Sequence, residues 1–495
     1  MEDLVKGKRE LTHAAYIDGA FHKGDGAPFV VENPSDESAV SELNGVSARQ
    51  VEAAIASSRA AFDDGRWSKL PAKERAAKMF RFGEAMQARR ERFTQLAIEE
   101  AGCPISSSVM RAQVGTPLSQ IPEIVDYFLT LPEQEENPIL MHERVGPWGA
   151  VQSIKRYTPI GVAAAIAAYN VPMFTALWKV VPGLIAGNSV ILRPNPLTPL
   201  SAMLFAEAAD EAGLSPGVLN VILEGGLEGG LAITTDPRID MVSFTGSCTV
   251  GAKVAEQAAP TLKRLVLELG GKSAQIFLPD AVDKAAMQAM VIAVAHAGQG
   301  CALGTRLFVP EDSKAKVLEQ ASEMFAKIKV GPASDPATQT GPVISAAQRA
   351  RCEYFTAAAV EHGGRVVCGG KRPAYLDKGY YFEPTLLDLP DNKNPAAQEE
   401  IFGPVAAVIG YRDLDHAVEM ANDSRYGLAG YVHGADKGVA MRVGLAINSG
   451  TVNVNGGMMS VRASMGGIKM SGLGRERGLE GLRAYQNMTV FNMGG

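Results

Sequence analysis

A chain of 495 residues, 46% of them hydrophobic and 21% charged, is long enough to bury large cores and to divide into roughly two or three domains. A formal net charge of -6 without any dense Lys/Arg tract excludes the electrostatic footprint of a nucleic-acid-binding protein or of one held on an anionic membrane surface. Five cysteines, Cys103, Cys248, Cys301, Cys352 and Cys368, stand singly with no CxxC pair or metal-ligand cluster. Neither a disulfide framework nor a metal site is expected, and reduced thiols in a cytoplasmic protein fit this usage.

In chain order, the opening MEDLVKGKRELTH is polar and lacks the apolar stretch of a secretory leader. Residues 70–101 read as a charged amphipathic helical segment, with a solvated face over a packed one. The segments 139–156 and 485–493 are β-prone and either pair across a subunit interface or finish a sheet. The uncharged stretch from Tyr157 to Trp178 has the length of a membrane span, but Pro159, Asn170 and Pro172 interrupt it. It reads as a buried strand, a loop and a helix start. From residue 160 to 310 the apolar runs GVAAAIAA, SVILRP, VLNVIL, DMVSFT and RLVLEL alternate with helix-length segments, the pattern of βα units wound into a parallel sheet. Thr198 and Pro199 read as a cap and first helical residue, with Gly213 as the stop for that helix. A second run of helix and strand signals from Ser273 to Met465 predicts two α/β domains with a seam near Glu268.

Three strings carry chemistry. Cys301 lies in HAGQGCALGTR, where small neighbours let a substrate and a flat ring approach the sulfur, although such a cysteine equally reads as a small buried hydrophobe. Glu268 ends an apolar strand in LVLELGGKS before two glycines, the kind of strand end at which parallel sheets present functional groups; an ion-paired glutamate would look the same. In DMVSFTGSCTVGAKVAEQ a strand runs through Thr245, Gly246 and Ser247 into a helical pattern, whose free N–H groups and dipole would face a pyrophosphate. A glycine turn alone is a weak signal, and the usual GxGxxG fingerprint is absent.

Together with AAYNVPMF, ALWKVVPGLIAGNSVILRP, EEIFGPV, GTVNVN and SMGGIKMSGLGRERG, these strings resemble the aldehyde dehydrogenase superfamily of NAD(P)-dependent, hydrolytic enzymes, from about residue 15 to the C-terminus. The resemblance implies an α/β fold with a Rossmann-like cofactor domain (1–137 and 158–267), an α/β catalytic domain (268–466) and a small β-rich oligomerisation element (138–157 and 480–495), assembled as a homodimer or homotetramer. It implies that an aldehyde is oxidised to the acid with NAD or NADP. Cys301 would attack the aldehyde carbon as thiolate. The side-chain amide of Asn170 and the Cys301 N–H would hold the oxyanion, and Glu268 would activate the water that hydrolyses the thioester. Lys179 matches a lysine proposed to help proton transfer. Glu400 matches the carboxylate on the nicotinamide ribose, Phe402 the aromatic residue beside it, and Trp178 a position near substrate and nicotinamide that equally reads as core. Gly246, Ser247 and Leu269 complete the cofactor set with Arg193 and Pro196.

The last two depart from the family pattern. LRPNP stands where many relatives read LKPAE, so Arg193 replaces a lysine and Pro196 the glutamate that binds the adenosine ribose. Loss of a carboxylate and gain of a guanidinium make NADP use a live expectation beside NAD. Val171, Met458, Met459 and Met465 stand where aromatic residues are common, which points to a roomy channel for medium-sized, hydrophobic or aromatic aldehydes. Competing readings are a CoA-acylating relative, which would lack a base such as Glu268; a cysteine hydrolase, for which His296 is the nearest histidine in sequence; and a non-catalytic binding or structural relative.

Overall fold

The computed structural model describes residues 12–144, 149–457 and 460–494. Strands Val162–Ile166, Ser189–Arg193, Leu219–Ile222, Met241–Thr245 and Arg264–Glu268 form where the five apolar runs lie. Such strands are apolar throughout because both faces are covered. Ala163, Ala165, Val190 and Leu192 pack with Trp67, Phe82 and Phe205 on one side. Val162, Ala164 and Ile191 pack with Val51, Ile55 and Val254 on the other, as the two-residue period of a strand requires.

These five strands are parallel, in the order Arg264–Glu268, Met241–Thr245, Val162–Ile166, Ser189–Arg193, Leu219–Ile222. Antiparallel strands flank them: Gly472–Leu473 on one edge, Ala15–Ile17 and Ala20–His22 on the other. The chain winds outward from Val162–Ile166 to Leu219–Ile222, then returns to the opposite side at Met241–Thr245. The order therefore reverses between Val162–Ile166 and Met241–Thr245, and that reversal opens a crevice at their carboxyl ends.

A second sheet carries Arg365–Cys368, Thr385–Leu389, Val405–Tyr411, Arg306–Pro310, Ala274–Phe277, Ala429–His433 and Thr451–Val454, parallel except for Arg365–Cys368. The β-prone segments pair with each other within one chain: Ala150–Pro159 lies between Gln134–Glu136 and the edge strand Gln486–Gly494, with Gln486 opposite Pro159. Among the described residues no helix is long and apolar enough to cross a membrane.

Two helical expectations change in detail. The segment 70–101 is two helices, Ala72–Ala88 and Arg90–Glu99, separated at Arg89. Thr198 and Pro199 do not start the next helix, which begins at Ser201. Its leading N–H groups, those of Leu200 and Ser201, donate to the carboxylate of fully buried Glu100 at 2.9 and 3.2 Å, a cap from 100 or so residues upstream. Gly213, at φ +66°, ends the helix as expected.

Candidate active site

The crevice is built from strand ends. Asn170 follows Val162–Ile166, Ser247 follows Met241–Thr245, and Glu268 is the last residue of the neighbouring strand. The Gly246 N–H donates to the Glu268 carbonyl at 3.0 Å, tying the last two together. Ser247 caps the helix Cys248–Ala258 by accepting the Val250 N–H, while the N–H groups of Cys248 and Thr249 have no carbonyl one turn back within the helix. The hydroxyl of Thr245, the last residue of the preceding strand, is buried with no hydrogen-bond partner among the described residues. Gly251 packs on Leu269 so closely that a Cβ there would lie 2.5 Å from the leucine Cδ2, which explains the glycine early in this helix.

The two glycines after Glu268 serve close approach. A Cβ on Gly270 would fall 2.1 Å from Glu400 Oε2, and one on Gly271 2.7 Å from the Cys301 carbonyl. The Gly271 N–H donates to Glu400 Oε1 at 2.9 Å. Burial pushes the Glu400 carboxyl up to about 7, against the opposing effect of that N–H. Phe402, at φ +61°, sets its ring edge-on to Tyr169 with centroids 5.9 Å apart, so the EEIFGPV loop touches the residue before Asn170.

Cys301 is half-buried at the end of a strained loop. His296, Ala297 and Gly298 take three consecutive left-handed conformations (φ +52°, +51° and +72°), and a Cβ on Gly298 would sit 1.9 Å from the Gly403 carbonyl. Two non-glycine residues in that region cost about 1 to 2 kcal/mol each, a local cost the surrounding packing must offset. Asn170 Nδ2 donates to the Gln299 carbonyl at 2.8 Å through one of its two N–H bonds, so the amide keeps a second donor. Gln113 Nε2 holds the Asn170 carbonyl at 2.6 Å. Burial, with Glu268 and Glu400 nearby, pushes the Cys301 thiol up to about 12, so the resting sulfur is protonated. Buried His296 has no hydrogen-bond partner on either ring nitrogen among the described residues, and burial pushes it down to about 4, so it is neutral.

Glu268 is 5% exposed, and neither carboxylate oxygen has a hydrogen-bond partner among the described residues. Burial first, and then the charge of Glu476, holds its carboxyl well above the usual range, with Lys179 and Arg475 opposing. Lys179, wholly buried on the helix Pro172–Ile185, is ion-paired with Glu476. Glu476 is delivered by the SMGGIKMSGLGRERG segment, which pairs antiparallel with the Glu268 strand, Gly472 opposite Glu268. Glu476 escaped the sequence reading; it was visible only as an acidic residue inside a quoted string. Arg477, also missed, is 5% exposed and stacks its guanidinium over the Trp178 ring at 4.6 Å. Trp178 itself is core, its indole N–H on Gln120 at 3.2 Å. Arg193 is ion-paired with Glu224, and Pro196 lies in the loop that follows its strand. Val171 precedes the helix bearing Phe174 and Trp178, Met465 bonds Glu476 through paired backbone groups, and Met458 and Met459 lie outside the described residues. Among the described residues no cluster of three or more His, Cys, Asp or Glu side chains could hold a metal.

A doubly wound sheet with a glycine turn and helix start at its switch point, facing a thiol, is the architecture of a dinucleotide-dependent oxidoreductase. The comparisons with known proteins agree. The aldehyde dehydrogenase family model matches residues 21–491. Geranial dehydrogenase of Castellaniella defragrans is 35% identical over 467 residues, 93% of this chain and 95% of that protein. A Pseudomonas syringae aldehyde dehydrogenase mutant, crystallised with NAD+ and octanal, superposes with a TM-score of 0.90 at 36% identity, over 97% of this chain and 96% of that one. The Mycobacterium tuberculosis aldehyde dehydrogenase with NAD+ gives 0.91 at 38%, over 97% and 98%. The chain belongs to the aldehyde dehydrogenase family: it is an NAD(P)-dependent enzyme that oxidises an aldehyde to the carboxylic acid.

Proposed function

We propose that the chemistry runs through Cys301, Asn170 and Glu268, on medium-sized hydrophobic or aromatic aldehydes. The observation that carries this reading is a buried carboxylate, both of whose oxygens lack a partner among the described residues, in the same crevice as the Cys301 thiol. The Cys301 sulfur forms the C–S bond to the aldehyde carbon as its proton passes to ionised Glu268, which hands it on through the Lys179–Glu476 pair, and the free Asn170 N–H with the Cys301 N–H holds the oxyanion. A bound nicotinamide ring supplies the acceptor for the hydride that leaves this adduct. What remains on Cys301 is a thioester. Glu268, ionised, takes a proton from water as that water attacks the thioester carbon, and the acid leaves. The Lys179–Glu476 pair behind Glu268 gives the proton a route away.

The residues present fit a nicotinamide dinucleotide. The helix start at Ser247 and the orphaned Thr245 hydroxyl suit a pyrophosphate, and Glu400, seated against Gly270 and Gly271, suits a ribose. On this reading the first sheet carries the cofactor domain (1–137 and 158–267), the second the catalytic domain (268–466). The three-stranded sheet, formed by the element 138–157 and 480–495 with Gln134–Glu136 added at one edge, is the surface of a homodimer or homotetramer; its edge strand exposes Met488 and Val490 on one face and Phe491 and Met493 on the other, apolar surface that a second copy would cover. Cysteines that are all free in the structure suit a cytoplasmic location. Octanal in the Pseudomonas syringae crystal and the name geranial dehydrogenase support an apolar substrate, as does Phe174 beside Trp178. The test is the initial rate of nicotinamide reduction across aldehydes from acetaldehyde to long-chain and aromatic ones. Rates that rise with apolar size support this reading, and preference for the smallest or for charged aldehydes contradicts it.

A further inference from the structure

Arg193 ends its strand in register with Ile166, and Ile166 with Phe244. Neighbouring strands lie about 4.8 Å apart, so Arg193 stands roughly 10 Å from the glycine turn, about the reach of a nucleotide whose phosphates sit at that turn. Its guanidinium is not free. Nε donates to Glu224 Oε1 at 2.9 Å and Nη2 to the Gly226 carbonyl at 2.8 Å, and both charged residues are 5% exposed. The Glu224 carboxylate also accepts the Gly229 N–H (2.7 Å) and the Gly230 N–H (2.9 Å), in the first turn of the helix Glu228–Thr235. One carboxylate thus neutralises both positive features at this edge, the guanidinium and the helix N-terminus. Exposed Glu228, whose carboxylate accepts the Leu227 N–H at 3.0 Å, adds a second negative charge.

We propose that Glu224 is a specificity-determining residue that makes this enzyme select NAD over NADP. Pro196 removes a carboxylate from the loop after one strand, and Glu224 supplies one after the next. There it does not merely repel a 2′-phosphate; it occupies the cation that would have bound it. The ion pair reverses the expectation drawn from Arg193 and Pro196 alone, and it rests on the assignment of this crevice to the dinucleotide.

Titration calorimetry with NAD and with NADP, on the unmodified protein and on E224Q and R193Q, tests this without turnover. The unmodified protein is expected to bind NAD at least about tenfold more tightly, the size of one charge-assisted contact. E224Q frees the guanidinium and narrows the ratio on the order of tenfold, chiefly by tightening NADP. R193Q leaves Glu224 uncompensated and weakens NADP further, with the smaller change in NAD. The R193Q arm keeps the test decisive should E224Q not fold. Equal or tighter binding of NADP by the unmodified protein, an unchanged ratio in folded E224Q, or unchanged NADP binding in R193Q overturns the proposal. Binding of neither nucleotide to the unmodified protein would instead overturn the assignment of the crevice.

Discussion

Two buried glutamates stand at or just past the carboxyl ends of parallel strands in the same sheet, each 5% exposed, and their surroundings are opposite. Glu224 accepts bonds from a guanidinium and two backbone N–H groups; Glu268 accepts none among the described residues. A buried carboxylate with full partners is stabilised as an anion and fixes its neighbours. One without partners has its charged form disfavoured by desolvation, so that once ionised it is a stronger base than an ordinary carboxylate. Burial alone therefore does not mark a working group. The marker is burial without partners, beside a nucleophile.

The contrast breaks most sharply at the nucleophile. C301A is expected to lose turnover by at least about a thousandfold with nucleotide binding retained, since removal of a covalent nucleophile leaves only binding and oxyanion contacts; steady-state rates and calorimetry on one preparation check this. E268Q is expected to slow steady turnover between about a hundred- and ten-thousandfold, the range for a general base. A subtler change falls on pH. In the proposed mechanism Glu268 acts ionised, and its carboxyl is raised, so activity should be gained as pH rises through that raised value and lost below it. E476Q removes the like charge and leaves Lys179 in place, so the acid limb of kcat should move to lower pH; a limb that stays put would separate Glu268 from the pair behind it. The smallest effect is structural. E100A orphans the Leu200 and Ser201 N–H groups and should cost about 2 kcal/mol by denaturant titration, without changing the NAD to NADP ratio.

What the sequence made legible follows the same division. The five parallel strands were readable because strands covered on both faces are continuous apolar runs, a purely local property. Cys301 and Glu268 stood out because small residues and glycines crowd them, and the close contacts at Gly270, Gly271 and Gly298 account for that crowding, whereas Asn170 was legible only through the family resemblance of its string. Partnership between distant residues was not readable. The Lys179–Glu476 pair spans 297 residues, the Glu100 cap 100, and the Arg193–Glu224 pair 31, and no local pattern announces any of them. Arg193 illustrates the consequence: as a residue type it suggested phosphate binding, and as one half of an ion pair it argues for the opposite preference.

The central claim, that Cys301 carries a thioester which Glu268 resolves, is tested most directly by mixing E268Q with aldehyde and NAD, following nicotinamide absorbance, and weighing the protein. The account predicts a burst of about one reduced nicotinamide per site, little steady turnover, and an acyl adduct mapped to Cys301. No adduct on Cys301, or turnover that continues undiminished, would contradict it.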